Sequence, residues 1–123
     1  MCSIENIEIR QNIKLPNKYK ELHLSNFKEL EKYSEIYMGD EKIVITKFLN
    51  ANEISSVIDE FYDYFGYDII PIAITEYDNY ICFYYNAQTP SVIYWNYELA
   101  MGNPEEAITY LCKDFDEFVS ILC

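Results

Sequence analysis

Five carboxylates stand where their spacing could matter chemically: Asp59, Glu60 and Asp63 within about one helical turn, and Glu76 and Asp78 beside a turn. Acidic groups set this close either hold a divalent cation or present a negative field to a cationic partner. Neither these residues nor the pair Glu105-Glu106 follows the alternating ligand pattern, with its turn glycine, that a calcium loop needs, so no metal site is expected. Catalysis needs a nucleophile, an acid–base group or a metal in a preorganised setting. His23 is the single histidine, lies in a short helical pattern and has no motif around it. No GxSxG, phosphate-binding loop, HExxH or dinucleotide fingerprint occurs in a chain with three glycines in all. The sequence therefore offers no catalytic residue and implies no cofactor, and the chain reads as a non-enzyme.

The field around those carboxylates is one-sided. Residues 1–47 carry eight Lys/Arg and eight Asp/Glu, which cancel. Residues 48–123 set Lys113 against thirteen carboxylates, so the whole net charge of −12 sits there. Nine of the thirteen tyrosines fall between Tyr62 and Tyr97. Such a segment either keeps a domain soluble or attracts and holds a basic partner. Nucleic acid and anionic membrane are disfavoured as ligands, because both are bound through clustered Lys/Arg.

The elements that must position these groups are readable in outline. Pro16 opens a short helix to about Leu24, with Leu15, Tyr19 and Leu22 on one face. Residues 34–37 and 43–46 flank a turn containing Gly39 and predict a hairpin, while no pattern decides residues 26–33. Ile54, Val57, Ile58, Phe61, Tyr62 and Phe65 form one continuous apolar stripe, with Asn52 as N-cap and Gly66 as the stop. Asp59, Glu60 and Asp63 fall on its opposite face, with no lysine at helical spacing to neutralise them. Residues 69–74, 80–85 and 91–95 predict an antiparallel meander with a turn at Asp78-Asn79. Ile81 and Phe83 face one way in it, and Tyr80, Cys82 and Tyr84 the other. Asp114 and Glu117 cap a last helix whose anchors are Phe115, Phe118, Val119 and Leu122.

The opening residues lack the basic and apolar regions of a signal peptide, and no apolar run approaches membrane-spanning length, so a cytoplasmic protein is expected. Cys2, Cys82, Cys112 and Cys123 are dispersed without a CxxC pair and read as reduced thiols. No composition shift or linker divides the chain, and one domain over residues 1–123 is expected.

The order of the pieces carries a resemblance. Leu15-Pro16-Asn17-Lys18-Tyr19-Lys20 is followed by Ile70-Pro71-Ile72, then Asp78-Asn79-Tyr80-Ile81-Cys82-Phe83 and Val92-Ile93-Tyr94-Trp95. Phe115-Asp116-Glu117-Phe118-Val119 closes the series. This resembles the SUKH superfamily (SMI1/KNR4-like) over about residues 13–122. Many relatives carry Asn-Gly after the Leu-Pro helix, where this chain has Asn26-Phe27. The resemblance implies an α+β fold, a single SUKH-like domain with an antiparallel or mixed β-sheet packed with helices. It also implies a bacterial immunity protein that binds and neutralises a cognate toxin with a basic surface, often a nuclease, of a polymorphic or contact-dependent system. The alternative it leaves is a regulatory or scaffolding interaction module. Asp59, Glu60, Asp63, Glu76 and Asp78 are the expected partner-binding residues.

Overall fold

A computed structural model describes residues Ser3–Cys123. Its centre is a six-stranded, wholly antiparallel sheet in which every strand pairs with its neighbours in the chain. The strands are β1 (Glu35–Met38), β2 (Glu41–Phe48), β3 (Ile69–Thr75), β4 (Tyr80–Tyr84), β5 (Ser91–Trp95) and β6 (Ile108–Cys112). Six helices surround it: α1 (Ile4–Gln11), α2 (Asn17–Leu24), α3 (Ala51–Glu60), α4 (Tyr62–Phe65), α5 (Tyr97–Gly102) and α6 (Phe115–Ile121).

The strand register explains the layers. Tyr80 lies opposite Trp95 and Cys82 opposite Ile93, so these four share one face; Ile81, Phe83, Val92 and Tyr94 share the other. On the second face α2 and α6 close over Phe83, with Tyr19 at 5.1 Å and Phe115 at 5.6 Å between ring centres. Tyr19 and Phe115 also meet edge to face at 5.5 Å. On the first face Phe61 and Phe65 each stand 5.0 Å from Trp95, bringing α3 and α4 onto the sheet. With both faces covered, β3 and β4 read as near-continuous apolar runs. Pro71 sits in β3 beside a register shift, beyond the residues that pair with β2, so its missing N–H leaves no gap in that ladder.

Several expectations hold and several shift. Helix α2 begins directly after Pro16, Gly39 takes φ 65° in the β1–β2 turn, and Gly66 ends α4 at φ 55°. The N-cap of α3 is Asn50, not Asn52: its side chain accepts from the Glu53 N–H at 2.9 Å, and Glu53 accepts in return from the Asn50 N–H at 2.9 Å. The expected single helix from Ile54 to Phe65 is two. Phe61 leaves helical geometry at φ −112°, ψ 30°, and the rephased turn leaves Tyr62 exposed instead of in the apolar stripe. Helices α1 and α5 and strand β6 had no counterpart in the sequence reading.

The undecided segment 26–33 is a left-handed corner followed by one short 3₁₀ turn at Lys28–Leu30. Asn26 and Phe27 take φ 56° and 58°. A bulky residue in that region costs on the order of 1–2 kcal/mol. Phe27 offsets this by burial, stacked on Phe48 at 4.8 Å and against Tyr19 at 5.6 Å. Cys82 and Cys112 are buried free thiols and Cys123 an exposed one, while Cys2 lies outside the described residues. No helix among the described residues is long and apolar enough to cross a membrane.

Candidate interaction surface

All five carboxylates singled out from the sequence are exposed. The fold brings two of them together. Glu60 ends α3, and Asp78 lies in the 3₁₀ turn Glu76–Asp78 between β3 and β4. Both act on the Tyr80 hydroxyl, whose pKa is pushed up to about 12, first by burial and then by Glu60 and Asp78. Two carboxylates 18 positions apart in the chain thus act on one tyrosine.

Beneath them lies an aromatic floor. Phe61 stands 6.0 Å from Tyr80, 5.0 Å from Trp95 and 5.7 Å from Tyr97. Tyr64 lies 6.1 Å from Trp95 and turns its hydroxyl to the Met101 sulfur at 3.8 Å. Trp95 is fully buried, whereas Tyr64, Tyr97, Leu99 and Met101 are exposed at the rim. Tyr77, in the turn, is 88 % exposed and makes no ring contact among the described residues, so its side chain projects into solvent. Amphipathic rings with one face packed and one wet supply contact area at low entropic cost.

Asn79 fixes the two sides of this surface to each other. It is buried, donates from Nδ2 to the Tyr94 hydroxyl at 2.7 Å, and accepts at Oδ1 from the Tyr97 N–H at 2.8 Å. The turn carrying Asp78 is thereby tied to the start of α5, where Asn96 caps the helix by accepting from the Leu99 N–H at 3.1 Å. In the sequence Asn79 is marked only as a turn residue, Tyr64 and Tyr97 fall within the tyrosine-rich stretch 62–97 without being distinguished from its other members, and Met101 carries no signal. The signal for α5 was Asn96 before Tyr97-Glu98-Leu99-Ala100, an N-cap ahead of helix formers.

The other carboxylates are placed differently. Asp59 pairs with Arg10 of α1, and Arg10 also donates to the Ser55 hydroxyl at 3.1 Å. The expected triad without a counter-charge is therefore reduced: its cation comes from a distant helix, which spacing within α3 could not reveal. Asp63 sits on α4, past the break at Phe61, beside the exposed pair Tyr62 and Tyr67. Glu76 opens the turn and offers its backbone carbonyl to the Thr75 hydroxyl at 3.1 Å. Among the described residues Glu60, Asp63, Glu76 and Asp78 form no ion pair. The described residues also contain no group of three or more His, Cys, Asp or Glu able to hold a metal ion.

An antiparallel six-stranded sheet covered by helices on both faces defines a single α+β domain. The chain belongs to the SMI1 / KNR4 family (SUKH-1), which matches residues 3–121. No curated protein and no solved structure matches the chain. Membership of this family is consistent with an immunity-protein role.

Proposed function

We propose that this chain is a cytoplasmic immunity protein that acts as a single domain and neutralises a cognate protein toxin by covering its basic surface. The observation that carries the reading is the exposed pair Glu60 and Asp78, which form no ion pair among the described residues and both act on Tyr80, itself packed on Phe61 beside Trp95 and exposed Tyr97. Carboxylates on such a rim compete for the Lys/Arg groups with which a nuclease holds phosphate, so a nuclease toxin fits the field best. The net charge of −12 steers a cationic partner at long range, raising association by roughly 10–10³-fold at low salt. The tyrosines then supply the short-range contact that survives screening. Inhibition follows from occupancy, with no chemistry required of this chain.

Co-expression with the product of the gene immediately upstream, followed by capture at low and high salt, tests this directly. The expected result is a complex that weakens as salt rises and protects the cell. Reversing Asp59, Glu60, Asp63, Glu76 and Asp78 together should abolish protection. Intact neutralisation in that variant refutes the assigned surface, and a neighbour with no toxic activity favours the regulatory module instead.

A further inference from the structure

The two edges of the sheet end differently. At β1 the edge is partly closed: the Cys123 carbonyl accepts from the N–H groups of Ser34 and Glu35 at 3.0 and 3.1 Å, and the Cys123 N–H donates to the Glu35 carbonyl at 2.8 Å. At β6 nothing equivalent occurs. The Ala107 carbonyl accepts from the Asn96 N–H at 2.9 Å, and Thr109 lies opposite Tyr94. Ladder alternation then turns the N–H and C=O of Ile108 and Tyr110 outward, and among the described residues no backbone group meets them. Ile108-Thr109-Tyr110-Leu111-Cys112 also carries no charge and no proline, the usual devices that keep a bare edge from pairing.

We propose that the outer edge of β6 is a strand-addition site for an extended, basic segment of the partner. This rests on the binding reading above and assigns it a second contact. The edge is continuous with the acidic–aromatic surface: Trp95 of its floor lies opposite Ile108, and the Asn96 that caps α5 bonds to Ala107. Exposed Glu105 and Glu106 precede the strand; exposed Lys113 follows it directly, with exposed Asp116 three residues further on. A lysine or arginine beside the start of β6 meets the Glu105 and Glu106 carboxylates, whereas a second copy of this chain brings a net charge of −12 against the same field. Tyr110, 61 % exposed, offers its ring to the side chains of the incoming strand. Main-chain bonds give such a contact its affinity, and alternate side chains give it selectivity.

Amide hydrogen exchange on the full chain tests this, with an eight-residue peptide of alternating lysine and valine as probe. At saturation the Ile108 and Tyr110 amides should exchange at least about tenfold more slowly. A glutamate–valine peptide, and one with prolines in place of the valines, should leave both amides unchanged. Tyr110→Pro removes the outward N–H, and Tyr110→Lys keeps the backbone while placing a positive charge on the edge at an exposed position; both should lose the protection. Protection that grows with chain concentration in the absence of peptide assigns the edge to a second copy and overturns the proposal. Unprotected amides at saturating peptide overturn it too. If reversal of Glu60 and Asp78 abolishes toxin inhibition while Tyr110→Lys preserves it, the edge proposal fails and the immunity reading stands. If the wild-type chain inhibits no toxin, the immunity reading fails, and amide protection still decides the edge.

Discussion

The Asn79 side-chain amide donates a 2.7 Å hydrogen bond to the Tyr94 hydroxyl across the β4–β5 end of the sheet, in a setting where both residues are buried. With its carbonyl oxygen taken by the Tyr97 N–H at 2.8 Å, Asn79 joins the turn, the sheet and α5 through one side chain. Removing a partner from a buried hydrogen bond strands the group left behind, at a cost of about 1–3 kcal/mol. Asn79→Ala should lower stability by about that amount in urea unfolding, and Tyr94→Phe by a similar amount. Because both changes break the same bond, the double variant should cost less than the two singles added. Strict additivity would show that Asn79 does not couple the two strands.

Alkaline stability should depend on Tyr80. Its pKa is pushed up to about 12 in the folded chain, against 10.0 for a free tyrosine, by burial and then by Glu60 and Asp78. Between these values the unfolded chain loses a proton that the folded chain keeps, so stability present below pH 10 falls as pH rises toward 12. Burial raises the Tyr19 and Tyr85 hydroxyls above the usual range as well, so they add to the same loss. Tyr80→Phe should move the alkaline unfolding midpoint to higher pH. Reversing Glu60 and Asp78 to lysine should lower the Tyr80 pKa, read from phenolate absorbance.

Acid stability should depend on His23. Its Nε2 is buried without a hydrogen-bond partner, beside the similarly unpartnered Tyr19 hydroxyl, in a cluster where Phe27 lies 5.6 Å from the ring. Burial lowers the pKa below 6.5, with Glu5 opposing weakly. The unfolded chain therefore takes up a proton first, and stability present above pH 6.5 is lost as pH falls below it. His23→Phe removes both the stranded nitrogen and the titration. Its unfolding free energy should change less between pH 7 and pH 5 than that of the wild type, and an unchanged slope would exclude His23 as its source.

What the sequence made legible is what depends on near neighbours. Helices α3 and α6 carry an apolar period and a cap within a few residues, α2 carries an apolar period after Pro16, and β3, β4 and β5 carry dense β-branched and aromatic runs between turns. Helix α1 escaped because its inward side includes Gln11, acceptable there only because its amide reaches the Gly66 carbonyl at 3.1 Å. Strand β6 escaped because an edge strand is only half covered, which blurs its alternation. The carboxylates of the surface could be picked out by type. That Glu60 and Asp78 share Tyr80, and that Asp59 belongs to Arg10, are long-range facts with no local signature.

The cap of α3 shows how fine that limit is. Asn50 and Asn52 are equally good cap residues, and the apolar period does not choose between them. Glu53 does, because it stands three residues after Asn50 and completes a reciprocal box. Its carboxylate is held below the usual range by the Asn50 N–H and then by Lys47, whose ammonium lies 2.6 Å away. Asn50→Ala should cost about 1 kcal/mol in thermal or urea unfolding. Glu53→Gln keeps the box but gives up the charge, so its deficit should be present above the unfolded glutamate pKa of 4.5 and shrink as pH falls below it.

The carboxylates of the interaction surface should rank unequally, and the order follows from their partners. Asp59 already holds Arg10, so neutralising it removes one charge from a compensated pair and leaves Arg10 free to repel a cationic partner. Exposed pairs of this kind contribute about 0.2–1 kcal/mol, so Asp59→Asn should alter stability little. Among the described residues Glu60 and Asp78 have no cation to release, and both act on Tyr80. Glu60→Gln and Asp78→Asn should slow association with a basic toxin and flatten its salt dependence, with dissociation changed much less. Tyr64→Ala and Tyr97→Ala should do the reverse, speeding dissociation by about tenfold or more as packed contact is lost. Stopped-flow association at two salt concentrations separates the two classes. If Asp59→Asn slowed association as much as Glu60→Gln, the field would come from the chain as a whole and not from the Glu60–Asp78 pair.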